Sequence, residues 1–405
     1  MKVNYFKQQW LLLWLVFIGC LGAGLAYPIL PPLFLHPEHN GILPVTMNIN
    51  YRSILLGVTL AAFPLGVFIG APLLGALSDK FGKEKMIGLS LASASIGYLV
   101  SGIAISNHLL LLLILSRFFT GMFEGVIAIA RSIADIPNIN REQTFGRINA
   151  VSCLSFIFGP LIGGLLANNT LLSFFSFAFP FYFSSIVSLL TAIITVPYLL
   201  KYKTNKRRKS DHTPINIFTQ FEQYARIPGL RKILLASTLF TLGMDIYFQF
   251  FPVVLTVKWH FYPWQIAIYL SCAFLFLSLG STILVTILRM SINKERLTTL
   301  IMIAISVVTI TLCSLFRSHW ITLITIIILN LAMSGTITQI TSKLSHTASS
   351  DIQGSIMGMQ LGLRMLGDAI LCLIGSSLII FSLSFPFVLA AITMATSGII
   401  LFRSK

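Results

Sequence analysis

The chain is poor in charge, and poorest in acid. Only 10% of its 405 residues are charged, and its 12 Asp and Glu are outnumbered by 28 Lys and Arg. An ordinary soluble domain carries about 25% charged residues. With 56% hydrophobic residues and a mean hydropathy of +0.88, the chain holds more apolar surface than a soluble core could hide, whereas a bilayer can take it. Cysteine is scarce. Cys20, Cys153, Cys272, Cys313 and Cys372 all sit in apolar runs, none in a CxxC spacing, and read as small buried hydrophobes. The seven histidines fall in loops or at helix ends, so neither a metal site nor another cofactor is expected. There is no Walker-type glycine loop and no Ser or Cys nucleophile paired with His. Those absences point away from an enzyme and leave an ion gradient as the energy source.

What the chain does have is long apolar runs. They lie at roughly 10–34, 54–77, 86–106, 108–130, 146–168, 176–200, 232–254, 264–288, 298–316, 319–342, 355–378 and 380–402. A membrane crossing needs ~20 apolar residues. The pattern predicts an all-α integral membrane protein of about twelve transmembrane helices, with both termini cytoplasmic. On that topology Arg52, Lys258 and Arg317 fall outside, Arg117 and Arg364 lie within spans, and every other Lys and Arg is cytoplasmic. This bias satisfies the positive-inside rule. It also accounts for the net charge of +16, which faces anionic lipid heads rather than nucleic acid. Lys2, Lys7 and Cys20 faintly outline a lipoprotein signal. Phe17 is a poor residue three places before such a cysteine, and the apolar run continues to Leu35, so a first span is the better reading.

The longest hydrophilic segment, 201–231, divides the chain into an N-terminal half, 1–200, and a C-terminal half, 232–405, of six spans each. Its basic run reads as a topology-setting linker. Ile217, Phe218, Phe221 and Ala225 fall near helical spacing and predict a short helix lying in the cytoplasmic interface.

Residues 75–85, Gly-Ala-Leu-Ser-Asp-Lys-Phe-Gly-Lys-Glu-Lys, join the second and third spans. This run resembles the loop signature of the major facilitator superfamily. The resemblance implies a cytoplasmic gate built on Gly75, Asp79, Lys80, Gly82 and Lys83. Gly75 would allow close helix approach and Gly82 a tight turn. Glu84 stands where the family usually has a second basic residue. Arg117 to Gly125 resembles the fourth-helix motif of the same superfamily. Ile133 to Pro137, with Arg141, Phe145 and Gly146, resembles the following loop of its drug–proton antiporters, and implies that Asp135 and Arg141 join the gate. Gly22 to Pro31 is similar to their first helix. Gly159, Pro160, Gly163 and Gly164 match the antiporter motif of their fifth. Cys153 and Ser155 replace glycines expected before Gly159, and Gly19 replaces an acidic residue of the tetracycline exporters. In the second half the likeness lies mainly in the helix pattern.

Five charged residues lie well inside the spans: Arg117, Glu124, Asp245, Arg364 and Asp368. Each costs roughly 2.5–3.5 kcal/mol on insertion scales if it faces lipid, so all should face a helix interface or water. On a continuous helix Arg117, Gly121 and Glu124 would share one face. Arg364 and Asp368, at i and i+4, could pair along their own helix and form a clasp or a substrate site. Asp245 has no charged neighbour in sequence. A carboxyl that alternates between burial and the reach of a cation can load and release a proton, since those two influences act oppositely. Glu124 and Asp245 are the leading candidates for that role.

The expected function is proton-coupled export of a small amphiphilic compound by a monomer in the bacterial inner membrane, from a cavity between the two halves. Proton-coupled import of a nutrient or siderophore is the alternative. A non-transporting sensor or assembly factor is the alternative of another class. Expected partners are the substrate, protons and lipid.

Overall fold

The structure is a computed structural model and describes residues 2–36, 41–124, 141–201, 229–281, 295–313, 318–347 and 353–403. Every regular element among them is a helix. In chain order these are α1 (Lys2–Leu25), α2 (Leu30–Leu35), α3 (Ile49–Phe81), α4 (Lys83–Ser106), α5 (Leu110–Met122), α6 (Arg141–Leu166) and α7 (Phe179–Lys201). They continue as α8 (Leu230–Trp259), α9 (Pro263–Leu279), α10 (Glu295–Cys313), α11 (His319–Thr347), α12 (Gln353–Ile379) and α13 (Phe385–Arg403). With α1 and α2 taken as one apolar run, seven helices are long and apolar enough to cross a membrane, and five shorter apolar helices accompany them. Together they make the twelve that the hydropathy pattern predicts. The expected interfacial helix near 217–225 lies outside the described residues.

A bilayer requires backbone groups to find their partners within the helices. Hydroxyls follow the same economy and bond to the preceding turn: Thr59 to the Leu55 carbonyl, Thr120 to Ser116, Thr256 to Pro252. The first span is broken at Ala26–Ile29. Pro28 has no N–H to give, Pro31 and Pro32 follow, and the chain restarts as α2. Between α3 and α4 the turn pivots on Gly82, whose φ of 96° a side chain would resist.

The described chain forms two compact units. The first comprises Met1–Met47, Ala62–Ile215 and Phe261–Ile268; the second comprises Asn48–Ala61, Asn216–His260 and Tyr269–Lys405. In the first unit α4 packs on α5 and α7, and α1 on α6 and α7. Gly24 and Gly159 meet almost Cα to Cα, so a Cβ added at Gly159 would lie 3.0 Å from the Gly24 Cα. A Cβ at Gly163 would lie 2.5 Å from the Leu25 carbonyl oxygen, and one at Gly164 2.7 Å from that of Pro263. The glycines around Pro160 are thus spent on backbone-to-backbone approach. In the second unit α8 is the hub, buried from Leu230 to Thr256 on nearly every face, with α11, α12 and α13 around it.

Candidate functional site

Two charged sites sit in the described structure, one in each unit. The first is set by α5. Gly121 on α5 and Gly66 on α3 let the two helices touch through backbone: a Cβ at either would overlap the carbonyl oxygen of Phe63 or Phe118, respectively. This contact draws Arg117 against α3, 5% exposed, with its guanidinium carbon 4.7 Å from the centre of the Phe63 ring. Among the described residues its Nε and Nη1 have no hydrogen-bond partner. The electrostatic neighbours of Arg117 are Tyr98, Tyr27 and Glu124.

The continuous helical face expected through Glu124 is not formed. α5 ends at Met122, Phe123 caps it, and the Glu124 N–H turns back to the Gly121 carbonyl at 3.1 Å. Glu124 therefore stands just beyond the helix end, still within the electrostatic reach of Arg117. Tyr98, from α4, was not singled out by sequence. Its hydroxyl is buried over Gly22 without a hydrogen-bond partner among the described residues. The signal for it was indirect: a tyrosine in a helix whose other polar residues, beyond its charged first turn, are small serines. Those serines tie α4 to its neighbours, Ser101 to Ser116 at 2.8 Å and Ser95 to the Ser185 carbonyl at 2.8 Å.

The second site lies between α8 and α12, which run parallel with polar groups meeting at helical intervals. Gln360 donates to the Ser237 hydroxyl at 2.9 Å. Arg364 grips Asp245 with two bonds, Nε to Oδ2 at 2.6 Å and Nη2 to Oδ1 at 2.5 Å. The Gln249 amide donates to Asp368 Oδ2 at 3.5 Å, and Cys372 Sγ lies 3.7 Å from Oδ1. The expectation for Arg364 is corrected here. Its bidentate partner is Asp245, 119 residues away, rather than Asp368 one turn along. The reason is packing. Gly367 admits Leu242, with a Cβ there 2.8 Å from that side chain, and brings α12 close enough for a guanidinium to span the gap. Asp245, which has no charged neighbour in sequence, thus acquires one from the fold. Around the pair, Tyr247 stacks on Phe251 at 5.3 Å and Phe248 lies flat on Phe274 at 4.4 Å. Gln249 is the second residue that sequence reasoning passed over.

Of the remaining candidates, Gly82 makes the turn described above and Lys80 is exposed at the end of α3. Gly75 does not serve close approach among the described residues, since a Cβ there would meet nothing within 4 Å. Asp135 and the side chains of Asp79, Lys83 and Arg141 lie outside what is described. No group of three metal-ligating side chains is found among the described residues.

A bundle of apolar helices whose interior charges, among the described residues, sit in or beside helix-to-helix contacts defines a polytopic membrane protein of the carrier type. Residues 12–371 match the Major Facilitator Superfamily, and the chain belongs to that family. It is 26% identical over 386 residues to multidrug resistance protein 2 of Bacillus subtilis, covering 94% of this chain and 90% of that one. It is 31% identical over 193 residues to the quinolone resistance protein NorA of Staphylococcus aureus, a match of 47% of this chain and 44% of NorA. The fold is that of the human organic anion transporter MFSD10, with a TM-score of 0.68 at 19% identity, over 97% of this chain and 99% of that one. The chain is a multi-pass inner-membrane transporter.

Proposed function

We propose that this transporter is a proton-coupled antiporter that exports a small amphiphilic compound by alternating access. The observation that carries the reading is the charge count between α8 and α12 among the described residues: two carboxylates, Asp245 and Asp368, face one guanidinium, Arg364. A membrane helix interface does not hold an uncompensated charge without cause, and a proton is the smallest cation that balances it. Direction is supported by the relatives, a multidrug resistance protein and a quinolone resistance protein. Glu124 beside Arg117 is the proton-handling carboxylate of the first unit in this reading. The segment Gly75–Lys83, with Asp135 and Arg141, forms the cytoplasmic gate. Its partners are the substrate, protons and surrounding lipid, and it works as a monomer.

The test is accumulation of labelled amphiphiles, antibiotics and siderophores in bacteria stripped of their main exporters, with and without a proton uncoupler. Wild type should lower accumulation of at least one compound. The uncoupler, Glu124→Gln or Asp245→Asn should restore it at matched expression. Higher accumulation with wild type would instead make the chain an importer. Unchanged accumulation throughout, with no proton flux in reconstituted vesicles, would support a non-transporting role.

A further inference from the structure

We propose that two matching aromatic turns, one leading into α7 and one into α13, insert their exposed rings among phospholipid acyl chains at the membrane interface and give each unit its own lipid anchor. The partner is the bilayer leaflet opposite Lys201 and Arg403, the outer one on the positive-inside topology.

The two turns are one design used twice. Ser176-Phe-Ala-Phe-Pro-Phe181 leads into α7, and Ser382-Leu-Ser-Phe-Pro-Phe387 leads into α13. Their main-chain bonds correspond one for one. The N–H groups of Phe175 and Phe381 donate to the carbonyls of Leu172 and Leu378, at 2.9 and 3.1 Å. Those of Phe179 and Phe385 donate to Ser176 and Ser382, at 3.0 and 3.2 Å. Those of Phe181 and Phe387 donate to Ala178 and Ser384, both at 3.1 Å. Pro180 and Pro386 stand in the first helical turn, where no N–H is needed. In each copy the last ring of the motif, Phe181 or Phe387, is buried. Other rings are left uncovered. Phe174 is 60% exposed beside Leu171 and Leu172 in the first unit, and Phe381 is 78% exposed beside Phe385 in the second. Phe174, Phe175 and Phe179 pack as one cluster, with ring centres 4.9, 5.0 and 5.5 Å apart.

Charge and depth select lipid as the occupant. No charged residue lies between Arg147 and Lys201, or between Asp368 and Arg403. Other turns at this end of their spans are polar: the one between α4 and α5 exposes Asn107 and His108, and the one after α8 follows Lys258 and holds His260. α13 has 19 residues and ends at Arg403. At about 1.5 Å per residue it spans about 28 Å, close to the ~30 Å thickness of the hydrocarbon core. With Arg403 at one boundary, Phe385 falls at the other. α7, which ends at Lys201, places Phe179 in the same way. The turns carry backbone polar groups outside any helix, which hydrocarbon cannot satisfy, so the main chain stays at headgroup level while the rings reach inward. Exposed Ile186 on α7 and Ile392 on α13 continue the same apolar surfaces along their helices.

The experiment places p-benzoylphenylalanine, a photoreactive ring, at Phe174 or Phe381 of the full chain in nanodiscs of phosphatidylethanolamine and phosphatidylglycerol. After irradiation, mass spectrometry reads what each ring has attached to. Asn107, in the polar turn between α4 and α5, is the comparison position. Phospholipid adducts at Phe174 and at Phe381 should exceed those at Asn107 roughly tenfold, the ratio set by moving one Phe side chain into apolar surroundings. Leu172 and Phe385 repeat the measurement, so that one poorly folding variant does not decide the result. Lipid yields equal at all positions, or lipid adducts at one turn alone, overturn the proposal. So does chain-to-chain cross-linking as the main product, which would make the turns a contact between copies. The readout needs no substrate and is independent of the direction of transport.

Discussion

The two units treat an arginine within a span in opposite ways. Arg117 lies over an aromatic ring with two donors unpartnered among the described residues, and it stands beside the short motifs that sequence displays most clearly. Arg364 is bound at both ends of its fork by Asp245, in a half of the chain with few recognisable motifs. Helix contact differs in step. α5 meets α3 through backbone atoms at glycine, whereas α12 meets α8 through a series of polar side chains. Motif density and structural commitment are therefore separate properties. A residue can be easy to find in sequence and hold little of the structure together, or the reverse.

The sharpest way to break this contrast is to remove each guanidinium. Arg364→Met leaves two carboxylates between α8 and α12 without their cation. It should cost on the order of 3 kcal/mol of stability and most transport. Arg117→Met removes a buried charge with no ion pair in contact among the described residues. It should change stability by less than about 1 kcal/mol while still abolishing proton-coupled transport. Thermal unfolding in detergent, read beside an export assay, separates the two. If Arg117→Met proves as destabilising as Arg364→Met, the contrast fails. The exchange Asp245→Arg with Arg364→Asp should recover more folded protein than either single change.

Next in size is the glycine seam. Gly121→Ala forces a methyl into the Phe63 carbonyl and should cost roughly 2 kcal/mol, as overpacked cores do. Gly75→Ala meets open space and should fall within about 0.5 kcal/mol of wild type. A loss of transport at Gly75 with stability intact would then mark a gating role. Gly82→Ala places a side chain at φ 96° and should cost about 1 kcal/mol or more, measured as a lower unfolding midpoint. Phe63→Leu keeps the volume apolar but removes the ring face beneath Arg117. A loss of about 0.5–1 kcal/mol is expected from the cation–π term.

Much of the fold was legible because a bilayer writes its demands locally. Twelve apolar runs and a one-sided Lys and Arg distribution need no knowledge of which helix touches which. The five interior charges were legible for the same reason, since their cost in lipid is a property of each position alone. Their partners were not. Asp245 and Arg364 meet across 119 residues, and only the close approach at Gly367 makes the reach possible. The end of α5 at Met122 was hidden because Gly121 and Gly125 belong to a run, Arg117 to Gly125, that resembles a continuous fourth-helix motif. Tyr98 and Gln249 were missed because a single uncharged polar residue inside a span carries no insertion cost large enough to flag it.

The glycine contact between α3 and α5 has a consequence for how such a chain can vary. Phe63 and Phe118 present only main-chain oxygens there, and every amino acid has the same main chain. No exchange at Phe63 or Phe118 can make room for a larger residue at Gly121 or Gly66, so drift at that seam has no compensating route. The α8–α12 seam is built from side chains and can be rewritten in matched pairs. Paired replacement is therefore a structural route open to the α8–α12 seam and closed to Gly66 and Gly121.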